Sequence, residues 1–127
     1  MSHPPMPTDA ELGILRILWE RGPATVRQVY ESLAQERELG YTTVLKTMQV
    51  MLDKGQLARD ASERSHVYRA AMAEGDTKGQ LVSDFMAKAF SGSAQQLMVH
   101  ALRGGQTSTG ELDAIQRLLD EARKGRS

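Results

Sequence analysis

At 127 residues the chain has room for one compact domain, or for a small domain of about 70 residues with an appendage. Hydrophobic residues make up 40% and charged residues 25%, the make-up of an ordinary globular protein, and the formal net charge of zero argues on the crudest measure against a polyanion binder. The absence of cysteine excludes disulfides and Cys-ligated zinc or iron–sulfur centres and is compatible with a reducing cytoplasm. No stretch approaches a membrane span, and the start from Met1 to Pro5 lacks the basic residues and apolar run of a signal peptide, so a cytoplasmic protein is expected.

In chain order, Thr8 and Glu11 have capping-box spacing, and Leu12, Leu15, Leu18 and Trp19 then recur at helical intervals until Gly22-Pro23. Thr25 with Gln28 repeats the box, and Val26, Val29, Tyr30 and Leu33 form the stripe of a second helix. A third helix is expected from Tyr41 or Thr42 to Lys54-Gly55, with a cation in the last turn followed by glycine. Residues 57–60 and 66–69 flank a polar loop from Ala61 to Ser65 and suit a short hairpin. Residues 73–75 read as a joint. Beyond it come a fourth helix with Leu81, Phe85, Met86 and Phe90, a fifth from Ser93 and Gln96 to Gly104-Gly105, and a sixth opened by Ser108 and Glu111 and bearing Leu112, Ile115, Leu118 and Leu119.

Three helices and a hairpin, in that order, are the ingredients of a winged helix-turn-helix, in which the third helix enters the major groove. On a helical wheel, Tyr41, Val44, Leu45, Met48, Met51 and Leu52 gather on one arc as a core face. The other arc holds Thr42, Thr43, Lys46, Thr47, Gln49, Val50, Asp53 and Lys54. Hydroxyls, an amide and cations suit phosphates and base edges, and the Val50 methyls suit a thymine methyl; composition alone fits a solvated face equally. Charge is unevenly distributed: residues 1–40 carry four Arg against six acidic residues, whereas residues 41–70 carry five cations against three anions, a small imbalance that supports nucleic-acid binding only together with geometry. Arg59, Arg64, Ser65 and His66 around the hairpin suit phosphate contacts.

These residues resemble the penicillinase-repressor (BlaI/MecI/CopY) family of transcriptional regulators. The resemblance is carried by Thr8 to Leu12, Leu18 to Pro23, Gly40 to Lys46 with Lys54-Gly55, Arg64 to Arg69, and Phe90 to Ser93. It implies a dimeric repressor that binds an inverted-repeat operator in double-stranded DNA and controls resistance or stress genes such as β-lactamase-type systems. The implied reading helix is Thr42 to Lys54, with Thr42, Thr43, Lys46 and Gln49 foremost, and the wing is Asp60 to His66. The full DNA-facing set expected here is Thr25, Arg27, Thr42, Thr43, Lys46, Thr47, Gln49, Val50, Lys54, Arg59, Arg64, Ser65 and His66. Many members carry Arg where this chain has Val50, so the operator need not be shared. The cysteine pairs of the copper-responsive branch are absent. The β-lactam-responsive branch is cleaved at an Asn-Phe bond after a sensor pathway acts; the equivalent place here reads His100-Ala101, the candidate cleavage region for a sensor-pathway protease.

The expected architecture is therefore mostly α with a small β-hairpin: a winged helix-turn-helix DNA-binding domain over residues 1–72 and a three-helix dimerisation domain over residues 73–127. About 55 residues is a thin basis for an independent core, so Leu81, Phe85, Met86, Phe90, Leu97, Leu102, Leu112, Ile115 and Leu119 are read as a homodimer interface. An enzyme fares poorly, because His3, His66 and His100 lie in separate segments and no phosphate loop is present; no metal or other cofactor is expected. The remaining alternative is a winged helix used only as a protein-interaction module.

Overall fold

A computed structural model of the chain describes residues 4–62 and 64–126; His3 and Glu63 lie outside them. The elements are α1 (Asp9–Arg21), α2 (Val26–Ala34), α3 (Tyr41–Asp53), β1 (Leu57–Asp60), β2 (Val67–Ala70), α4 (Glu74–Phe90), α5 (Ala94–Arg103) and α6 (Thr109–Lys124). They divide into two units, one ending at Leu81 and one starting at Val82, so the first turns of α4 belong with the first unit.

In the first unit the helices start where their caps place them. The Thr8 hydroxyl accepts the Glu11 N–H at 3.2 Å while the Glu11 carboxylate accepts the Thr8 N–H at 3.0 Å. Thr25 and Gln28 repeat the exchange at the head of α2. Each box supplies partners to backbone donors that a helix start otherwise leaves without any. At the far end of α3, Gly55 at φ 83° lets the chain turn back, with its N–H on the Leu52 carbonyl and the Gln56 N–H on that of Met51. This is the two-bond helix terminator that favours glycine, and it delivers the chain directly into β1.

The strands β1 and β2 pair antiparallel, from Leu57 opposite Ala70 to Asp60 opposite Val67. A third segment, between α1 and α2, joins them: the Ala24 N–H donates to the Tyr68 carbonyl at 2.9 Å and the Tyr68 N–H to that of Ala24 at 2.8 Å. The hairpin is thereby tied to the helix-turn-helix by backbone as well as by packing. Ile14, Leu15 and Leu18 of α1, Val26, Val29 and Leu33 of α2, Val44, Met48 and Met51 of α3, and Leu57 and Tyr68 of the hairpin make one continuous core. At about 25 cal/mol per Å² of apolar surface removed from water, this core is the main stabilising contribution to the unit. The Trp19 indole N–H donates to the Met72 carbonyl at 2.8 Å and ties the end of the hairpin segment to α1.

Two details of the expected core change. Tyr41, placed on the core arc by the wheel, is 37% exposed; it is the first residue of α3, and its ring packs against Tyr30 and Arg27 of α2. Leu12 is half-buried, and Ile14 and Glu11 take the interior positions around it.

The second unit contains the rest of α4 with α5 and α6. Within it Phe85 meets Phe90 edge-on at 5.6 Å, and Phe90 lies 5.5 Å from the His100 ring. Ser91 (φ 51°) and Gly92 (φ 80°) make the turn between α4 and α5. The Ser93 and Ser108 hydroxyls accept the N–H groups of Gln96 and Glu111, each at 3.1 Å, and cap α5 and α6. No described residue of this unit is buried.

Candidate nucleic-acid interface

Burying Val44, Met48 and Met51 obliges the opposite side of α3 to face outward. Thr42, Thr43, Lys46, Gln49, Val50 and Asp53 are all exposed there, and Thr47 is half-buried. The Thr47 hydroxyl donates to the Thr43 carbonyl one turn back at 2.8 Å. Along the same side a depression of about 370 Å³ is lined by Thr43, Lys46, Thr47 and Val50 of α3 and by Thr8, Ala10 and Glu11 at the head of α1.

A second hollow, of about 220 Å³, lies where the starts of α2 and α3 meet the wing, and Thr25, Arg27, Tyr41, Arg64, Ser65 and His66 line it. The Arg27 guanidinium lies 4.8 Å from the centre of the Tyr41 ring and 5.8 Å from that of Tyr30, and the two rings meet edge-on at 5.7 Å. A planar cation stacked on an aromatic face keeps its charge and its remaining donors available. The head of α3 has Gly40 as its cap residue and no side-chain cap, so its first N–H groups take no side-chain partner beside this cluster. The Asp60 carboxylate accepts the Ser62 N–H at 2.9 Å, which holds the turn at the base of the wing and keeps that carboxyl below its ordinary range.

Thus five of the residues anticipated from the sequence, Thr25, Arg27, Arg64, Ser65 and His66, come together at the wing, and Thr43, Lys46, Thr47 and Val50 share the depression along α3. Thr42 and Gln49 stand exposed on the open side of α3, and Arg59 is exposed on β1, opposite Tyr68. Lys54 is differently engaged. Its ammonium lies 2.7 Å from the buried Glu11 carboxylate, which also accepts the Gln56 amide at 3.3 Å. Burial pushes the Glu11 carboxyl upward; Lys54, the Thr8 N–H and Gln56 outweigh it, and the group ends below the ordinary glutamate range. Sequence reasoning missed this cluster and the residues Tyr30 and Tyr41 beside Arg27. The Thr8–Glu11 spacing had located Glu11, but only as part of a cap.

In the other unit Phe85, Leu102, Leu112 and Leu119 are exposed, together with Val82 and Leu118, while Met86, Phe90, Leu97 and Ile115 are half-buried. Leu81 is half-buried at the end of the first unit. His100 and Ala101 lie exposed inside α5. Among the described residues no cluster of His, Cys, Asp or Glu has a metal-holding arrangement, and no helix is long and apolar enough to cross a membrane.

Three helices, a two-stranded wing bridged to the α1–α2 segment, and an open face on the third helix define a winged helix-turn-helix protein. Solved structures with this fold include the DNA-binding domain of the repressor BlaI (TM-score 0.53) and the Bacillus licheniformis BlaI monomeric form in complex with the blaP half-operator (TM-score 0.52). Each is 24% identical to this chain and covers 60% of it and 93% of its own length. The chain belongs to the penicillinase repressor family, whose model matches residues 7–121. The transcriptional regulator BlaI of Mycobacterium tuberculosis is 34% identical over 119 residues, 92% of this chain and 85% of that protein. The penicillinase repressor of Bacillus licheniformis is 22% identical over 121 residues, 95% of this chain and 94% of that protein. These relatives are named as regulators and repressors of transcription, not as enzymes.

Proposed function

We propose that this chain is a cytoplasmic, homodimeric transcription repressor that binds a palindromic operator in double-stranded DNA and controls resistance or stress genes of the β-lactamase-system kind. The observation that carries the reading is the open face of α3 beside the cationic hollow of the wing. Thr42, Thr43, Lys46 and Gln49 approach the major groove, while Thr25, Arg27, Arg64, Ser65 and His66 take the flanking phosphates. Lys54 acts from the rear, holding α3 to α1. The DNA-binding part runs through residue 72 and the dimerising part from residue 73. The exposed Phe85, Leu102, Leu112 and Leu119 support a second copy of the chain as their cover. Two reading helices on one face of the duplex multiply affinity through effective concentration. A sensor-pathway protease is a candidate partner; because His100-Ala101 lies inside α5, cleavage there requires that helix to unwind first.

The test is a gel-shift titration against DNA from the chain's own promoter, with scrambled competitor and at two salt concentrations. A selective complex at dimer stoichiometry that weakens steeply with salt is expected, since each neutralised phosphate contributes roughly −0.9 to the slope of log K against log salt. Lys46→Ala and Thr43→Ala weaken the shift and leave the dimer intact, because both residues are exposed and outside the apolar core. Weak binding with little salt dependence points instead to a winged helix that docks proteins. Full operator affinity in both variants overturns the assignment of α3.

A further inference from the structure

The outward side of α3 is less polar than its sequence suggests, and the difference concerns which base it reads. Of its threonines, Thr47 donates its hydroxyl hydrogen to the Thr43 carbonyl at 2.8 Å. In a helix that bond fixes the β-branched side chain with its oxygen against the preceding turn, so its donor is occupied and its methyl is left as the group to be presented. One turn onward, Val50 is 40% exposed and has only methyls to offer. Residues three apart on a helix are neighbours on its surface. Thr47 and Val50 also share their depression with the exposed Ala10 of α1. The middle of the reading helix therefore carries a methyl-lined notch, with Lys46 also in its lining.

In the major groove, thymine alone among the four standard bases presents an apolar group, its C5 methyl. We propose that Val50 and Thr47 form a thymine-methyl-reading notch that selects an A·T pair at one fixed position of each operator half-site, with Val50 the specificity-determining residue. This rests on the reading of α3 as the DNA-reading helix and adds to it the base that is chosen and the means of choosing. The selection is steric and hydrophobic: a cytosine there leaves the methyls facing its polar edge, and a uracil leaves a gap of one methyl.

The experiment begins with a duplex selected by the protein from a random-sequence library, in which each thymine of one half-site is replaced in turn by deoxyuridine. Base pairing is retained and one methyl is removed. Affinity is read by fluorescence anisotropy for the wild type, Val50→Ala and Thr47→Ser. At one position the wild type loses about fourfold, the equivalent of one buried methyl-sized group. In Val50→Ala the same replacement has little effect, and in Thr47→Ser, which keeps the hydroxyl, the loss is intermediate. Val50 is exposed, so its truncation leaves the fold in place, which the unchanged unfolding midpoint of the variant verifies. Selective binding that is indifferent to every uracil overturns the notch and leaves operator reading standing. A penalty that persists undiminished in Val50→Ala assigns the methyl to another residue and also overturns it. Failure of the library to yield any preferred duplex removes operator reading itself, and the notch with it.

Discussion

The two units of this chain handle their apolar residues in opposite ways. In the first, ten positions drawn from three helices and a hairpin, among them Leu15, Val29, Met48, Met51 and Tyr68, are 0–4% exposed, together with Ala24 at 1% and Val26 at 7%. In the second, Phe85 is 55% exposed, Leu119 51% and Leu118 63%, and no described residue is buried. Helix quality does not separate them, since α5 and α6 begin with serine caps and α6 ends with Arg123 and Lys124 in its last turn, as the helix dipole favours. What differs is closure. The first unit has two layers to close a core, with the hairpin as its lid, whereas the second leaves its apolar faces open. The first unit thus covers its apolar residues by itself, and the second leaves its own exposed.

The largest effect expected from this contrast is in the closed core. Met48→Ala removes a fully buried side chain and leaves a cavity, at a cost of about 2–5 kcal/mol. Urea unfolding followed by Trp19, the single tryptophan and a member of the first unit, measures it directly; a change below 1 kcal/mol shows that α3 is not anchored where the core places it. Next comes the open face. Phe85→Asp puts a charge where the proposed second copy would cover the ring. Its expected result is a rise of about 30–100-fold in the concentration at which the chain is half dimeric, read by sedimentation, with the Trp19 transition of the first unit unmoved. An unaltered association constant relocates the interface to another surface, and a wild type that stays monomeric at high concentration breaks the contrast itself.

Much of this was legible in the sequence because local rules govern it. The boxes at Thr8 and Thr25, the terminator at Gly55 and the 3.6-residue stripes of Val26, Val29 and Leu33 are short-range signals, and the helices begin and end close to them. The outward set on α3 followed from the same periodicity. What escaped depends on contacts between distant residues. Ala24 pairs with Tyr68 through backbone groups that carry no side-chain signature. Tyr41 looked like core by its angle on the wheel, yet as the first residue of α3 it is exposed, and Arg27 stacks on it. By its place on the wheel Lys54 is a DNA-facing cation, and nothing local in the sequence signals that Glu11, distant along the chain, lies beside it. Thr47 shows the finer limit: its residue type advertises a hydrogen-bond donor, and its rotamer withdraws it.

The smallest effect expected is at that Glu11–Lys54 contact, and it tests how the first unit keeps α3 in register with α1. Glu11 is 4% exposed and serves three groups at once: the Thr8 N–H of its own cap, the Lys54 ammonium at the end of α3 and the Gln56 amide. Because its carboxyl is held below its unfolded value, the stabilisation it contributes is fully present above the ordinary glutamate range and is lost as pH falls through the lowered value. Neutral solutions leave it untouched, and the loss runs from the ordinary glutamate range down through the lowered value. Glu11→Gln keeps the shape and removes the charge. It is expected to lower stability by about 1–2 kcal/mol at neutral pH, within the range for breaking a charge-assisted contact to a partly exposed ammonium, and to flatten the acid limb of the Trp19 titration. Since Lys54 ties the end of α3 to Glu11 just before the glycine turn, the variant also loosens the end of α3, and amide hydrogen exchange at Met51 and Leu52 rises with it. An acid limb identical to that of the wild type shows that the two helices are held by their apolar contacts alone.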